Sequence, residues 1–168
     1  MCFTKKEIIK FGKEKDKLQR SLGGIAEMKK LPQMIFIIEL ALETALRRSE
    51  IANIKPEHWT GNMLKVVKAK VKPRTIPLTK RAQQLLRENL PIRKSANAIL
   101  MMWKRLMKYY EIEDAHFHDL RHESICRLFT DKNLSVPEAQ VISGHLEPRT
   151  LLKVYANIKA EDIVHKLG

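Results

Sequence analysis

Between residues 31 and 46 the chain reads LPQMIFIIELALETAL, apolar nearly all round, which is the pattern of a helix enclosed on every side and predicts the hub of a core. Ahead of it, TKKEIIKFGKEKDKL (4–18) has helical spacing behind a threonine cap. Behind it, SEIANI opens with Ser49 as the expected N-cap of a short helix. The period then shortens. MLKVVKA (63–69) and RTIPL (74–78) carry β-branched residues on either side of KVKP, which predicts a hairpin or small sheet with lysines on it. Helical spacing returns at KRAQQLLREN, with Thr79 as its cap, and at ANAILMMWKRLMKYY, capped by Ser95, where Ile99, Met102, Trp103, Leu106 and Tyr110 form one apolar stripe. FHDLRHESICRLFTDK, VPEAQVIS and PRTLLKVYANI follow, the last with Pro148 at its first turn, and then the tail AEDIVHKLG. The expected fold class is mainly α with a small antiparallel β-sheet or hairpin, without internal repeats or a linker.

Length and composition narrow this picture. A chain of 168 residues that is 44% hydrophobic is expected to form one domain over residues 1–168, with a core that needs no metal or disulfide staple. Cys2 and Cys126 are its two cysteines, far apart and in no metal-type spacing, which fits a reducing, cytoplasmic setting. The apolar run MIFII (34–38) is stopped by Glu39, and MCFTKKEIIK has no signal-peptide core, so neither membrane spanning nor secretion is expected.

Charge changes the picture more. The net charge is +13, and from Lys55 to Lys108 there are 14 basic residues against Glu57 and Glu88, so 14 − 2 = +12 of it lies in one third of the chain. Such a field suits a polyphosphate, because neutralised phosphates release counterions. Nucleic acid is therefore the leading partner, with a solvated lysine face or an anionic lipid surface as the plainer alternatives. Lys65, Lys68, Lys72, Arg74, Arg93 and Lys94 are the residues expected to meet its backbone.

Candidate chemistry concentrates in AHFHDLRHES (115–124). On a helix, His118, Arg121, His122 and Ile125 share one side, while Phe117, Leu120, Ser124 and Leu128 line the adjacent face that enters the core. An imidazole able to move a proton near neutral pH, beside a guanidinium with paired donors, suits a phosphoryl centre. The metal alternative, His116, His118 and His122, is disfavoured because 116 and 118 point apart on a helix and no carboxylate completes the set. Taken singly, the arginines of TALRRSEIAN and the histidine and tyrosine of SGHLEPRTLLKVYAN have ordinary structural explanations.

Taken together and in order, TALRRSEI, KAKVKPRTIPL, HDLRHE, SGH and a following tyrosine closely resemble the catalytic domain of the tyrosine recombinases, the phage integrase family, over roughly residues 3–160. The resemblance implies a recombinase-type DNA breaking and rejoining fold. It also implies strand cleavage through a 3′-phosphotyrosyl intermediate, and a metal-independent and cofactor-free site. Its residues would be Arg47 and Arg121 on the phosphate, Lys70 as general acid, His118 as base, His145 as hydrogen-bond donor and Tyr155 as nucleophile. It further implies a homo-oligomer, tetrameric on double-stranded DNA, with a monomer as the alternative for the isolated domain, and an absent N-terminal DNA-clamping domain. The chain departs from the family at Ala45 (usually glycine), Ser143 (usually leucine) and Glu123 (often threonine), in one extra residue between His145 and Tyr155, and in a short hairpin that leaves Lys68, Lys70 or Lys72 as the lysine, with Lys70 preferred. A type IB topoisomerase-like enzyme, a noncatalytic DNA-binding module and a metal-assisted nuclease are the competing readings.

Overall fold

The apolar run beginning at Leu31 forms helix α1, Leu31–Thr44, in a computed structural model that describes residues 31–67, 72–110 and 112–156. Met34, Phe36, Ile37, Ile38, Leu40, Ala41 and Leu42 are all buried, so α1 is the hub its pattern predicts. It packs against the helices Lys80–Asn89, Ala96–Tyr109 and Phe117–Thr130. The expected helix over 4–18 and the tail beyond 158 lie outside the described residues.

Helix α1 stops where Ala45 takes a positive φ of 53° while fully buried. This is the position at which the resemblance calls for glycine, and an L-residue there costs on the order of 1 kcal/mol. The turn sends the chain into α2, Arg48–Ala52. Ser49 is not its N-cap as expected; it lies inside the helix. The cap residue is Arg47, whose backbone N–H donates to the Glu50 carboxylate at 2.8 Å, the reciprocal half of a capping box, while no side chain caps the helix from the N-cap position itself.

After a 3₁₀ turn at Pro56–His58, three short strands form an antiparallel sheet in the order β1 (Trp59–Thr60), β2 (Met63–Val66), β3 (Arg74–Pro77). The β2–β3 pair is the expected hairpin; β1, joined to β2 across Gly61 at φ 57°, was not foreseen. Alternation puts Leu64, Val66 and Ile76 on the buried face and leaves Lys65 and Thr75 opposite each other on the outer one.

Helix α3, Lys80–Asn89, and helix α4, Ala96–Tyr109, start at the expected caps: Thr79 Oγ1 accepts from the Ala82 N–H at 3.0 Å and Ser95 Oγ from the Ala98 N–H at 3.1 Å. The α4 stripe buries Ile99 and Trp103, and adds Met107. Trp103 donates to the Ala115 carbonyl at 2.9 Å and stands edge-on to Phe117 at 5.6 Å. Helices α5 (Phe117–Thr130), α6 (Val136–Ser143) and α7 (Pro148–Tyr155) follow. Ile125, Leu128, Phe129, Ala139 and Leu151 gather around Ala45 in a second, smaller core. That core fixes α6 and α7 to the strained end of α1, and the candidate site lies beside it. Among the described residues no helix is long and apolar enough to cross a membrane.

Candidate functional site

Arg121 is the residue around which the site is built. It lies in the second turn of α5 and is 2% exposed, an unusual place for a guanidinium. Its Nη1 donates to the Ala45 carbonyl, freed by the end of α1, and its Nη2 donates to the Ser143 carbonyl at the end of α6, at 2.7 Å. One fork thus joins three segments far apart in sequence. Nη2 also lies 3.3 Å from His145 Nε2.

His145 arrives there because α6 ends on Gly144 in the left-handed region, φ 67° and ψ 34°, which turns the chain back toward α5. Its Nδ1 lies 3.0 Å from the hydroxyl of fully buried Ser143. Since Arg121 can only donate, the arrangement that satisfies every group puts the imidazole proton on Nδ1, donating to Ser143 Oγ, and leaves Nε2 as acceptor. Ser143 therefore serves twice, with its carbonyl under Arg121 and its hydroxyl under His145, which the leucine common at this position in the family cannot do.

Arg47 approaches from the start of α2. Its Nη1 is 3.2 Å from Glu50 Oε1, and its side chain keeps 20% exposure. Glu50, with no exposed side-chain surface, also receives a fork from Arg74 of β3, Nη1 to Oε1 at 2.9 Å and Nη2 to Oε2 at 3.1 Å. Burial works to raise the Glu50 carboxyl, but the Arg74 hydrogen bonds and the Arg47 N–H overcome it and hold the carboxyl below its ordinary range. His118 is exposed on the first turn of α5, with its ring edge-to-face with His122 at 4.9 Å.

The electrostatics bind these groups into one site. Burial and then the charge of Arg47 push Arg121 down to about 9, which leaves it protonated at neutral pH. Burial, Arg121 and Arg47 push His145 down to about 4, and burial with His122, Arg121 and Arg47 lowers His118. Both imidazoles are thus neutral near pH 7, and among the described residues Arg47, Arg74 and Arg121 outnumber Glu50 and the more distant Asp119, which leaves the site positive in a partly desolvated setting. Such a pocket can receive an anion and stabilise charge that builds up on it.

Of the residues expected at the site, Arg47, His118, Arg121 and His145 come together. Lys70, with Lys68, lies outside the described residues; Tyr155 is the last residue of α7, one turn beyond buried Leu151, and its side chain is not described. Lys65, Lys72 and Arg93 are exposed, and Lys94 is partly so. Arg74, expected on DNA, is instead turned inward, with 12% of its side chain exposed. Glu50 and Ser143 were not foreseen as site residues. The first was signalled by a carboxylate three positions after Arg47 at a helix start, the second only by its departure from leucine. Among the described residues no group of three or more histidines, cysteines and acids is placed to hold a metal ion.

Comparison with known proteins bears on this geometry. The model of the phage integrase family matches residues 14–162. A shufflon-specific DNA recombinase of Escherichia coli is 35% identical in an alignment of 145 residues that covers 80% of this chain and 37% of that protein. The Tn1549 transposon integrase, solved in complex with a circular intermediate DNA, superposes with a TM-score of 0.73 over 99% of this chain and 65% of that one; at 16% identity this likeness shows the fold. The chain thus spans about a third of the recombinase and two thirds of the integrase structure. A segment of 37 residues is also 57% identical to small ribosomal subunit protein uS2 of Anaplasma phagocytophilum, covering 22% of this chain and 12% of that protein, and nothing in the fold accounts for it.

Proposed function

Because the chain belongs to the phage integrase family, we propose that it is the strand-cleaving domain of a site-specific DNA recombinase. The observation that carries this reading is the cluster in which Arg121 Nη2 lies 3.3 Å from His145 Nε2, with Arg47 and His118 near enough for their charges to act on both, leaving net positive charge. A phosphodiester in that pocket gathers negative charge on its non-bridging oxygens as attacking and leaving oxygens align across phosphorus, and preorganised guanidiniums stabilise that charge. Tyr155 supplies the attacking oxygen. Its proton passes to neutral His118, the bond from phosphorus to O5′ breaks as the bond to the tyrosine oxygen forms, and Lys70 delivers a proton to the departing O5′. The 3′-phosphotyrosyl ester keeps the energy of the broken diester, so a 5′-hydroxyl from another strand reverses the sequence without ATP. The +12 concentrated in residues 55–108 supports a duplex DNA partner, with Lys65, Lys72, Arg93 and Lys94 along its backbone. A cytoplasmic setting and assembly as a homo-oligomer on DNA belong to the same proposal.

The test is covalent capture. The chain is incubated in EDTA with a pool of nicked duplexes whose sequence around the nick is randomised, so that the freed strand diffuses away and traps the ester. An SDS-resistant adduct, with the nucleotide mass on the peptide holding Tyr155, is the expected product. If neither this chain nor a fusion to the N-terminal segment of the shufflon recombinase gives an adduct, the scaffold is a DNA-binding module without strand chemistry; capture that needs added zinc supports a nuclease instead.

Binding is expected to respond to pH through His145. In the free protein its pKa of about 4 keeps it neutral, and a phosphate oxygen beside it raises that value toward the ordinary 6.5, so DNA binding takes up a proton. With those two values, affinity at pH 5.5 exceeds that at pH 7.5 by about tenfold from this group alone. The free protein shows the converse: a depressed histidine costs stability as the pH falls from about 6.5 to about 4, where the unfolded chain is protonated and the fold is not. Titrations of DNA binding by the wild type and by His145→Gln check the first effect, and the variant should lose most of the tenfold gain. An equal gain in both proteins would assign the proton to another group.

A further inference from the structure

Arg74 sits in the basic segment, yet three of its N–H groups are engaged inside the protein. It alternates along β3 with buried Ile76 and is paired across the sheet with Val66, whose side chain is also buried, so the strand itself directs Arg74 inward. From there its Nη1 and Nη2 clamp both oxygens of Glu50, and its Nε donates to the Ile142 carbonyl at 3.1 Å, 68 residues away in sequence. Its guanidinium also lies directly over Gly144. A Cβ at that position would come within 2.8–2.9 Å of Arg74 Nε, Cζ and Nη1, so the absence of a side chain at 144 is what lets the arginine pass.

We infer that Arg74 is a positioning residue for strand cleavage, one that holds the lysine-bearing hairpin, the Arg47–Glu50 turn and the Gly144–His145 turn in fixed relation without touching DNA. This rests on the cleavage reading above. Two consequences follow from the contacts. Glu50 has one carboxylate to share, and Arg74 forks onto both of its oxygens while the Arg47 guanidinium makes a single bond at 3.2 Å beside the Arg47 backbone N–H, which leaves most of the Arg47 fork free for a phosphate. Without Arg74, buried Glu50 would have Arg47 as its remaining cation and would draw it inward, away from the substrate. The second consequence is geometric: β3 loses its tie to the end of α6, so the register between the hairpin and His145 loosens, and displacements of about 1 Å at such sites cost on the order of 100-fold in rate.

The experiment separates binding from chemistry. Adduct formation at saturating DNA and the dependence of DNA affinity on salt are measured for wild type, Arg74→Ala and Arg74→Lys, well below each protein's melting temperature. The expected result is an adduct rate about 100-fold lower in both variants, because lysine keeps the charge but cannot fork onto Glu50 and Ile142, with the slope of log affinity against log salt unchanged. A slope shallower by about one in Arg74→Ala, with near-normal behaviour in Arg74→Lys and a normal rate at saturation, would make Arg74 an ordinary phosphate contact and overturn the inference. If the wild type forms no adduct, the cleavage reading falls by itself, and the salt slope, which needs no chemistry, still decides whether Arg74 faces DNA. Gly144→Ala provides a check without a charge change: it is expected to lower the rate as Arg74→Ala does and to add little on top of it, whereas full additivity would show that the two residues act apart.

Discussion

Replacing Tyr155 with phenylalanine is expected to leave DNA affinity within about twofold of wild type, because an uncharged ring neutralises no phosphate, and to abolish the covalent adduct altogether. The reason is stoichiometric. Phenylalanine has no oxygen with which to make the new bond to phosphorus, so the loss is not a reduced rate that longer incubation can recover. Tyr155 closes α7, whose Leu151, one turn earlier, is fully buried in the smaller core with Ala45, Ile125 and Phe129. The same core carries the end of α1 and the start of the Arg47 turn, so the helix of the proposed nucleophile and the arginines proposed to hold the phosphate rest on one packed base. A free phenol, with a pKa near 10, is a weak nucleophile at pH 7, and the neutral state of His118, set by partial desolvation of its surface-exposed ring, His122 and the two arginines, suits the proposed transfer of the phenol proton to it. Gel analysis after SDS treatment, with binding followed in parallel, checks both halves of the prediction. An adduct that persists in Tyr155→Phe would move the nucleophile to another residue, and binding lost together with the adduct would show that the substitution had disturbed the fold.

What the sequence disclosed follows from how local each signal is. Leu31–Thr44, the Thr79 and Ser95 caps, and Pro148 at the start of α7 are set by neighbours within one or two turns, and all were legible. Strand β1 was not, because Trp59–Thr60 is too short for any alternation to show and is a strand only through its pairing with Met63–Leu64. Arg74 was misread for a related reason. Counted by charge it belongs with the hairpin lysines, whereas counted by alternation it belongs with Ile76, and burial follows alternation. The site itself is non-local: Arg121 bonds to backbone 76 and 22 residues away, distances over which no periodicity reports. Only the ordered resemblance to a family gathered Arg47, His118, Arg121 and His145 in advance. The same resemblance flagged Ala45 in place of glycine as a minor departure, and the structure places that residue at the positive-φ turn on which the Arg121 contact depends.

Arg121→Met is expected to reduce cleavage by more than about 1,000-fold while changing stability by only about 1–2 kcal/mol. The activity loss reflects the removal of a preorganised cation whose single donors are worth 100- to 1,000-fold each at comparable centres. The small stability change is the less obvious half. In the folded protein Arg121 is opposed by burial and by the charges of Arg47 and Arg74, with Glu50 alone in its favour, and this is why its pKa falls to about 9. Methionine releases that opposition and fills much the same volume, which offsets the two carbonyls, of Ala45 and Ser143, that lose their donor. Glu50→Ala should behave in the opposite way. It removes the one acid from a cluster of three guanidiniums and leaves Arg47 and Arg74 facing each other half-buried, a defect of about 3–5 kcal/mol. Urea unfolding of the two variants beside single-turnover cleavage tests the contrast. If Arg121→Met unfolds as readily as Glu50→Ala, Arg121 is a structural tie first, and the pocket does not hold it at a cost for the sake of a phosphate.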